Sequence, residues 1–116
     1  MTRVAPPIAT ALAPLEAEVQ ADVVHAYERA GCRVVRTAQS YRRGSRRSAG
    51  TPGIPDLKIY CARARLTWWH ETKAATGRQR PAQRVFQQMA ESCGEIYVLG
   101  GLDAAIVQLQ RVGIFA

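Results

Sequence analysis

Acidic residues are scarce in this 116-residue sequence, which has nine Asp and Glu against sixteen Lys and Arg and a net charge of +7. The scarcity is greatest between residues 33 and 84, where thirteen basic residues accompany only two acids, Asp56 and Glu71. A field of this sign attracts a polyanion, most simply nucleic acid. Fourteen of the sixteen bases are Arg, whose guanidinium makes forked contacts with phosphate.

Long hydrophobic runs are also absent. The longest uncharged stretch, Val4 to Leu15, is interrupted by three prolines and is shorter than the roughly 20 residues that a membrane helix needs. Only Arg3 precedes it and no clear cleavage site follows, so it does not match a secretory signal. Its alanines and prolines have no apolar period, and we expect residues 1–14 to be a flexible arm before a single domain at 15–116.

Cysteine is sparse. Cys32, Cys61 and Cys93 stand far apart, with no C-x-x-C pair and no His at zinc-ligand spacing. This pattern argues against a zinc site and against a disulfide framework. We expect reduced, partly buried thiols in a cytoplasmic protein.

Apolar periodicity predicts a small sheet packed against helices, an α/β arrangement without internal repeats. The predicted strands are Cys32–Arg36, a hairpin of Asp56–Tyr60 and Leu66–Thr72, and Glu95–Leu99. The predicted helices carry apolar stripes formed by Leu15, Val19, Val23, Ala26 and Ala30, then by Ala82, Phe86, Met89 and Cys93, and finally by Ile106, Leu109 and Val112 after an Asp103 cap.

Side-chain alternation separates Trp68 from Trp69 on their strand. We expect one of them in the core and the other at a subunit contact or stacked on a base. His25 and His70 are interpreted as structural residues, with His70 facing away from its neighbour Glu71.

The two acids of the basic span lie at the two ends of the predicted hairpin, which can bring them to the same end of the sheet. Glu71 and Lys73 should project together while Thr72 points away. Two neighbouring carboxylates need a cation between them, and oxygen ligands suit Mg²⁺ or Mn²⁺. Such an ion would lower the pKa of a bound water and stabilise charge on a phosphate oxygen, and Lys73 would orient or help deprotonate that water.

The order Gly53-x-Pro55-Asp56, then Glu71-x-Lys73, then Gln83 in a helix resembles the PD-(D/E)xK nuclease superfamily, specifically its VRR-NUC branch. The resemblance runs from about Glu16 to Leu109. The residues Glu16, Val19, Gln20, Val23 and Val24 resemble the first helix of that family. Gly94 and the apolar strand after it resemble the end of the family's domain. It implies a restriction-endonuclease-like core, a small mixed sheet flanked by helices.

The resemblance also implies a metal-dependent phosphodiesterase. In it Asp56 and Glu71 bind the metal, the Thr72 carbonyl completes the site, and Glu16 supports the metal directly or through water. Lys73 serves the attacking water and Gln83 is a supporting polar residue. Compact members are similar to Holliday junction resolvases, homodimers that cut branched DNA. The arginine-dense loop from Tyr41 to Ser48 departs from the pattern and leaves substrate choice open.

The basic residues that we expect to contact DNA are Arg36, Arg42, Arg43, Arg46, Arg47, Arg78 and Arg80. Plainer interpretations stay open at this point. Glu71 and Lys73 would also suit a surface ion pair, Glu16 a helix-dipole acid, and Gln83 a helix-surface residue. A basic DNA-binding module without turnover and an RNA-directed protein share the same charge pattern.

Overall fold

The computed structural model describes residues 15–37 and 50–115. Its elements are the helices α1 (Glu16–Arg29), α2 (Pro81–Ser92) and α3 (Leu102–Arg111), and the strands β1 (Arg33–Arg36), β2 (Leu57–Cys61), β3 (Leu66–Thr72) and β4 (Ile96–Gly100). The predicted order of helices and strands is confirmed. The predicted arm at 1–14 and the arginine-dense loop lie outside the described residues. No helix in the described ranges is long and apolar enough to cross a membrane.

The four strands form one mixed sheet in the order β1-β2-β3-β4. The first three strands are antiparallel, and β4 runs parallel to β3 after the crossover through α2. In the β2–β3 register Leu57 lies opposite His70, so the next step of the ladder sets Asp56 beside Glu71. The hairpin therefore brings both acids of the basic span to one end of the sheet, as predicted.

Helices α1 and α3 cover one face of the sheet. A cluster of buried side chains, Tyr27, Trp68 and His70, joins α1 to this face. The Tyr27 ring makes edge contacts with Trp68 and His70, at centroid distances of 5.8 and 5.5 Å. The His70 Nε2 lies 3.0 Å from the Gly100 carbonyl oxygen, which only accepts, so Nε2 carries the hydrogen. The Tyr27 hydroxyl therefore donates to His70 Nδ1 across 2.6 Å. Burial lowers the pKa of His70 to about 4, and the neutral ring has a structural role, as predicted.

Helix α2 covers part of the opposite face. The Phe86 ring meets Trp69 edge-on at 5.2 Å between centroids, and Trp69 Nε1 donates to Glu95 Oε1. Within the described residues, α2 packs mainly along β4, and no helix packs on the β1–β2 half of this face. Trp68 is the buried member of the pair, whereas Trp69 packs within the chain and keeps some exposure.

The predicted apolar stripes were partly wrong, because contacts with the rest of the fold bury a different set of residues on each helix. In α1 the buried residues are Val23, Val24 and Tyr27, while Leu15 is mostly exposed. In α2, Phe86 is buried with Gln83 and Ala90, whereas Ala82, Met89 and Cys93 are exposed. Gln83 enters the interior because it finds a polar partner in β3. In α3, Leu109 is buried as predicted, and Ala105 and Gln108 join it.

Four predicted boundaries also need correction. Strand β1 begins at Arg33 rather than at Cys32. Strand β2 begins at Leu57, since the Asp56 side chain faces the β3 backbone. Helix α3 begins after Gly101, so Asp103 lies in its first turn rather than at its cap, a position that the helix dipole still favours. Strand β4 is shifted by one residue.

All three cysteines are free, as predicted, but their burial differs. Cys32 and Cys61 are buried and Cys93 is exposed. Burial, together with the neighbouring Cys61, raises the pKa of Cys32 to about 12, so this thiol is protonated and unreactive at neutral pH.

Removal of the Leu109 side chain tests the packing of α3. Leu109 is fully buried and the next residue, Gln110, is exposed. Leu109→Ala should lower the free energy of unfolding by about 2–5 kcal/mol, because the mutation removes buried apolar surface and leaves a cavity. Gln110→Ala, in the same helix, should change it by less than about 0.5 kcal/mol. Urea unfolding followed by circular dichroism measures both, and equal decreases would contradict this packing.

Candidate active site

Three carboxylates from separate parts of the chain meet at the end of the β2–β3 hairpin. Glu16 opens α1, Asp56 directly precedes β2, and Glu71 lies near the end of β3. One carboxylate oxygen from each lies within 4.8 Å of the others. Glu16 is exposed, Asp56 is half-buried and Glu71 is buried, so the cluster opens to solvent on its Glu16 side.

Asp56 is held by backbone contacts on both sides. Its Oδ2 accepts a hydrogen bond from the Thr72 amide at 2.9 Å, and its carbonyl accepts one from the Thr37 amide at 2.9 Å. The turn before it is packed against α2, since a Cβ on Gly53 would lie 2.1 Å from the Ala82 carbonyl oxygen. Gly53 also has a φ of +77°, which favours glycine. The Gly53-x-Pro55-Asp56 motif is therefore a tightly fitted turn that fixes one carboxylate.

Glu71 is 1% exposed and only partly satisfied. Its Oε2 accepts from Gln83 Nε2 at 2.7 Å and lies 3.9 Å from Lys73 Nζ, whereas its Oε1 has no hydrogen-bond partner among the described residues. Burial raises the pKa of Glu71 to about 8, with Asp56 and Glu16 adding to the rise and Lys73 opposing it. An open carboxylate oxygen amid crowded negative charge is the environment that a hard cation relieves. The residues present therefore fit a divalent cation.

Gln83 is an interior residue rather than a helix-surface one. Its Oε1 accepts from the Arg80 amide at 2.7 Å, which leaves Nε2 to donate to Glu71. This contact orients the side-chain amide, and Pro81 starts the helix at the position where a missing amide hydrogen costs least. The amino-terminal turn of α2 thus fixes one oxygen of the buried carboxylate.

Lys73 and Thr72 continue β3 beyond Glu71. Lys73 points to the same side as Glu71, as predicted, and its side chain is 11% exposed. Thr72 is fully buried on the other side, and its amide holds Asp56. A buried partner excludes the interpretation of Glu71 and Lys73 as a surface ion pair. The role predicted for the Thr72 carbonyl stays a prediction.

Three of the seven predicted DNA-contacting arginines lie within the described residues. Arg36 is exposed at the end of β1, where its Nη1 donates to Gln20 Oε1 at 2.8 Å. Arg78 and Arg80 are exposed just before α2, where the Arg80 amide contacts Gln83. The remaining four, Arg42, Arg43, Arg46 and Arg47, lie outside the described residues.

Two residues of the open sheet face were not singled out from the sequence. Lys58 Nζ lies 4.0 Å from the centroid of the Trp69 ring, and Tyr60 is 49% exposed on the same face. The sequence did contain a signal that these two side chains share the face opposite the core, because Lys58 and Tyr60 alternate with the buried Leu57 and Ile59. The sequence did not show that this part of the face lacks a covering helix.

Comparisons with known proteins add one similarity. No protein-family model matches the chain, and no curated protein matches it. A solved structure described as "VRR_NUC domain" superposes with a TM-score of 0.62 at 21% sequence identity, covering 83% of this chain and 94% of its own. At that identity the likeness establishes the fold. The chain therefore has the restriction-endonuclease-like fold of a VRR_NUC domain, and the fold that the motifs implied is confirmed.

Proposed function

We propose that this protein is a nuclease that hydrolyses phosphodiester bonds in DNA with Mg²⁺ or Mn²⁺. The observation that carries the proposal is the meeting of Glu16, Asp56 and Glu71 within 4.8 Å, with Lys73 3.9 Å from Glu71. A binding module has no use for an acidic cluster inside a basic span, because the cluster repels phosphate. A phosphodiesterase uses such a cluster to hold a cation.

Asp56 and Glu71 would hold the cation, with Glu16 and the Thr72 carbonyl as supporting ligands. A donor set made only of oxygen suits Mg²⁺ or Mn²⁺ rather than Zn²⁺. When bound, the cation supplies positive charge that stabilises the charge developing on the phosphate. Gln83 keeps one Glu71 oxygen occupied and thereby directs the other towards the cluster.

Lys73 would orient the attacking water and transfer its proton at Nζ. Its backbone is fixed by a hydrogen bond from its own amide to the Gly100 carbonyl, at 3.2 Å. Its side chain is largely shielded from solvent beside Glu71. A general acid or base has to lie within reach of the reacting group, and the position of Lys73 Nζ beside Glu71 supports this role.

We further propose that the substrate is branched DNA, such as a Holliday junction, and that the enzyme acts as a homodimer. The net charge of +7 and the exposed Arg36, Arg78 and Arg80 support a polyanionic substrate. Two symmetric cuts need two sites related by a two-fold axis. The motif resemblance supports the same assignment.

Cleavage of an end-labelled panel tests the proposal: a four-way junction, a flap, a linear duplex and single strands of DNA and RNA, with Mg²⁺ or Mn²⁺ against EDTA. Lys73→Ala should lower the cleavage rate by about 10²- to 10⁴-fold, because the variant has no proton-transfer group, while leaving DNA binding largely intact. Arg111→Ala, an exposed base on α3, is the control and should cut normally.

The panel separates the alternatives. Paired cuts near the junction centre support a dimeric resolvase, and cutting of other DNA forms keeps the nuclease with a different substrate. Full activity in Lys73→Ala contradicts the mechanism. DNA binding without any cutting indicates a non-catalytic module, and preferential cutting of RNA assigns an RNA nuclease.

Metal binding is tested separately by thermal unfolding. Because a cation binds only the assembled cluster, Mn²⁺ at about 100 times its dissociation constant should stabilise the native state by about 2.7 kcal/mol. This should raise Tm by several degrees. Glu71→Gln should abolish that rise, whereas Glu28→Gln, an exposed acid in the last turn of α1, should keep it. An undiminished rise in Glu71→Gln would place the metal elsewhere.

The arginine-dense loop is tested by salt dependence. Replacing Arg42, Arg43, Arg46 and Arg47 with Gln should weaken DNA binding and make the plot of log affinity against log salt shallower, by about 0.9 for each phosphate that the loop no longer neutralises. Replacing Arg29 and Arg111, which are exposed in the last turns of α1 and α3, should have little effect. An unchanged slope in the loop variant would remove the loop from the interface.

A further inference from the structure

One half of the sheet face that carries Glu71 has no described helix packed on it. This open half-face consists of Arg33, Val35, Lys58, Tyr60 and Thr67. The register pairs Arg33 with Tyr60, Val35 with Lys58, and Tyr60 with Thr67, so the five side chains share one side of the sheet. Val35 is 41% exposed and Tyr60 49% exposed, an unusual exposure for apolar strand residues.

The open half-face is continuous with the candidate active site. Lys58 and Tyr60 follow Asp56 at alternate positions of the strand and therefore extend from it along the same side. At about 3.3 Å per residue, Tyr60 lies about 13 Å along the strand from Asp56. A strand spaced as in B-form DNA, at about 3.4 Å per nucleotide, would place about four nucleotides over this distance, and a more extended unpaired strand would place fewer.

The chemistry of the open half-face favours a polyanion as its occupant. It carries two cations, Arg33 and Lys58, and no acid, and Arg65 stands at its rim beside Leu66. The Lys58 ammonium rests on the Trp69 ring and stays on this side of the sheet. A second copy of the chain docked by this face would bring like charges together, whereas a phosphate backbone neutralises them.

The half-exposed Tyr60 ring selects a particular form of nucleic acid. An aromatic ring flanked by cations is the arrangement that binds single strands, because unpaired bases stack on the ring while the cations follow the phosphates. Bases inside a duplex have their faces covered by neighbouring base pairs and do not present them to a flat sheet.

We propose that the open half-face binds an unpaired nucleic-acid strand leading away from the candidate active site, with Tyr60 stacking on a base and Arg33 and Lys58 contacting phosphates. The proposal rests on the proposed nuclease function, because the position of the bound strand is given relative to the cleaved bond. It specifies the substrate feature that this surface would recognise, an unpaired strand within about four nucleotides of that bond. Strand binding is measured without cleavage, so the strand-binding proposal and the nuclease proposal can each fail independently of the other.

Fluorescence anisotropy with a labelled 20-nucleotide oligo-dT and a matched duplex tests the proposal in the 116-residue chain carrying Lys73→Ala. Adding Tyr60→Ala should weaken oligo-dT binding roughly tenfold and duplex binding much less, and Tyr60→Phe should bind like its parent. Phe115→Ala removes a similarly exposed ring that is not part of the open half-face and should change nothing. Arg33→Ala should make the salt dependence shallower by about 0.7, and Arg111→Ala should leave it unchanged.

Two further measurements identify what binds the open half-face. Photo-crosslinks from iodouracil within the strand should be recovered on β1 or β2, and their recovery only elsewhere would overturn the proposal. Oligo-dT binding by the Tyr60→Ala protein as tight as that of its parent would also overturn it. Sedimentation tests the alternative occupant. If the wild-type protein is a dimer, and Tyr60→Ala dissociates it without changing the affinity for the strand, the surface binds a second copy of the chain. Crosslinking and Arg33→Ala keep the test decisive if Tyr60→Ala does not fold.

Discussion

The antiparallel pairing of β2 with β3 in one register is the constraint on which the rest of the structure depends. It sets Leu57 opposite His70 and thereby Asp56 beside Glu71. A slip of one residue would move every side chain of a strand to the opposite face. Trp68 and His70 would then leave the core beneath α1, and Glu71 would leave Gln83. The same alternation thus secures the hydrophobic core on one side and the acidic cluster on the other.

The two faces of the sheet stabilise the fold in different ways. On the α1 and α3 side, buried rings and aliphatic side chains surround one polar relay, in which Tyr27 donates to His70 and His70 donates to Gly100. Both ring nitrogens of His70 are paired in that relay, so its burial costs little. On the other side Glu71 is buried with one oxygen open. The protein therefore places this unsatisfied carboxyl oxygen beside two further acids, Asp56 and Glu16.

Local patterns in the sequence predicted much of the fold and of the site. The alternation in Leu57–Cys61 and Leu66–Thr72 predicted the hairpin, and the hairpin predicted the meeting of Asp56 with Glu71. What local patterns missed depends on distant contacts. Gln83 replaces Met89 in the interior because it has a partner on β3, and helical periodicity contains no information about that partner. The exposure of Tyr60 likewise follows from where α2 does not pack, which no property of β2 itself reveals.

The contact of Gly53 with Ala82 has a consequence for the order in which the molecule assembles. The hairpin that carries Asp56 and Glu71 is local in sequence and forms by closing a short loop, whereas seating α2 on the sheet requires the slower parallel crossover to β4. Gln83 can donate to Glu71 only when α2 is seated, so this hydrogen bond cannot form within the hairpin alone. The hairpin alone brings only two of the three clustered acids together, and the third, Glu16, joins them through the packing of α1, so the complete cluster depends on contacts between parts of the chain that are distant in sequence.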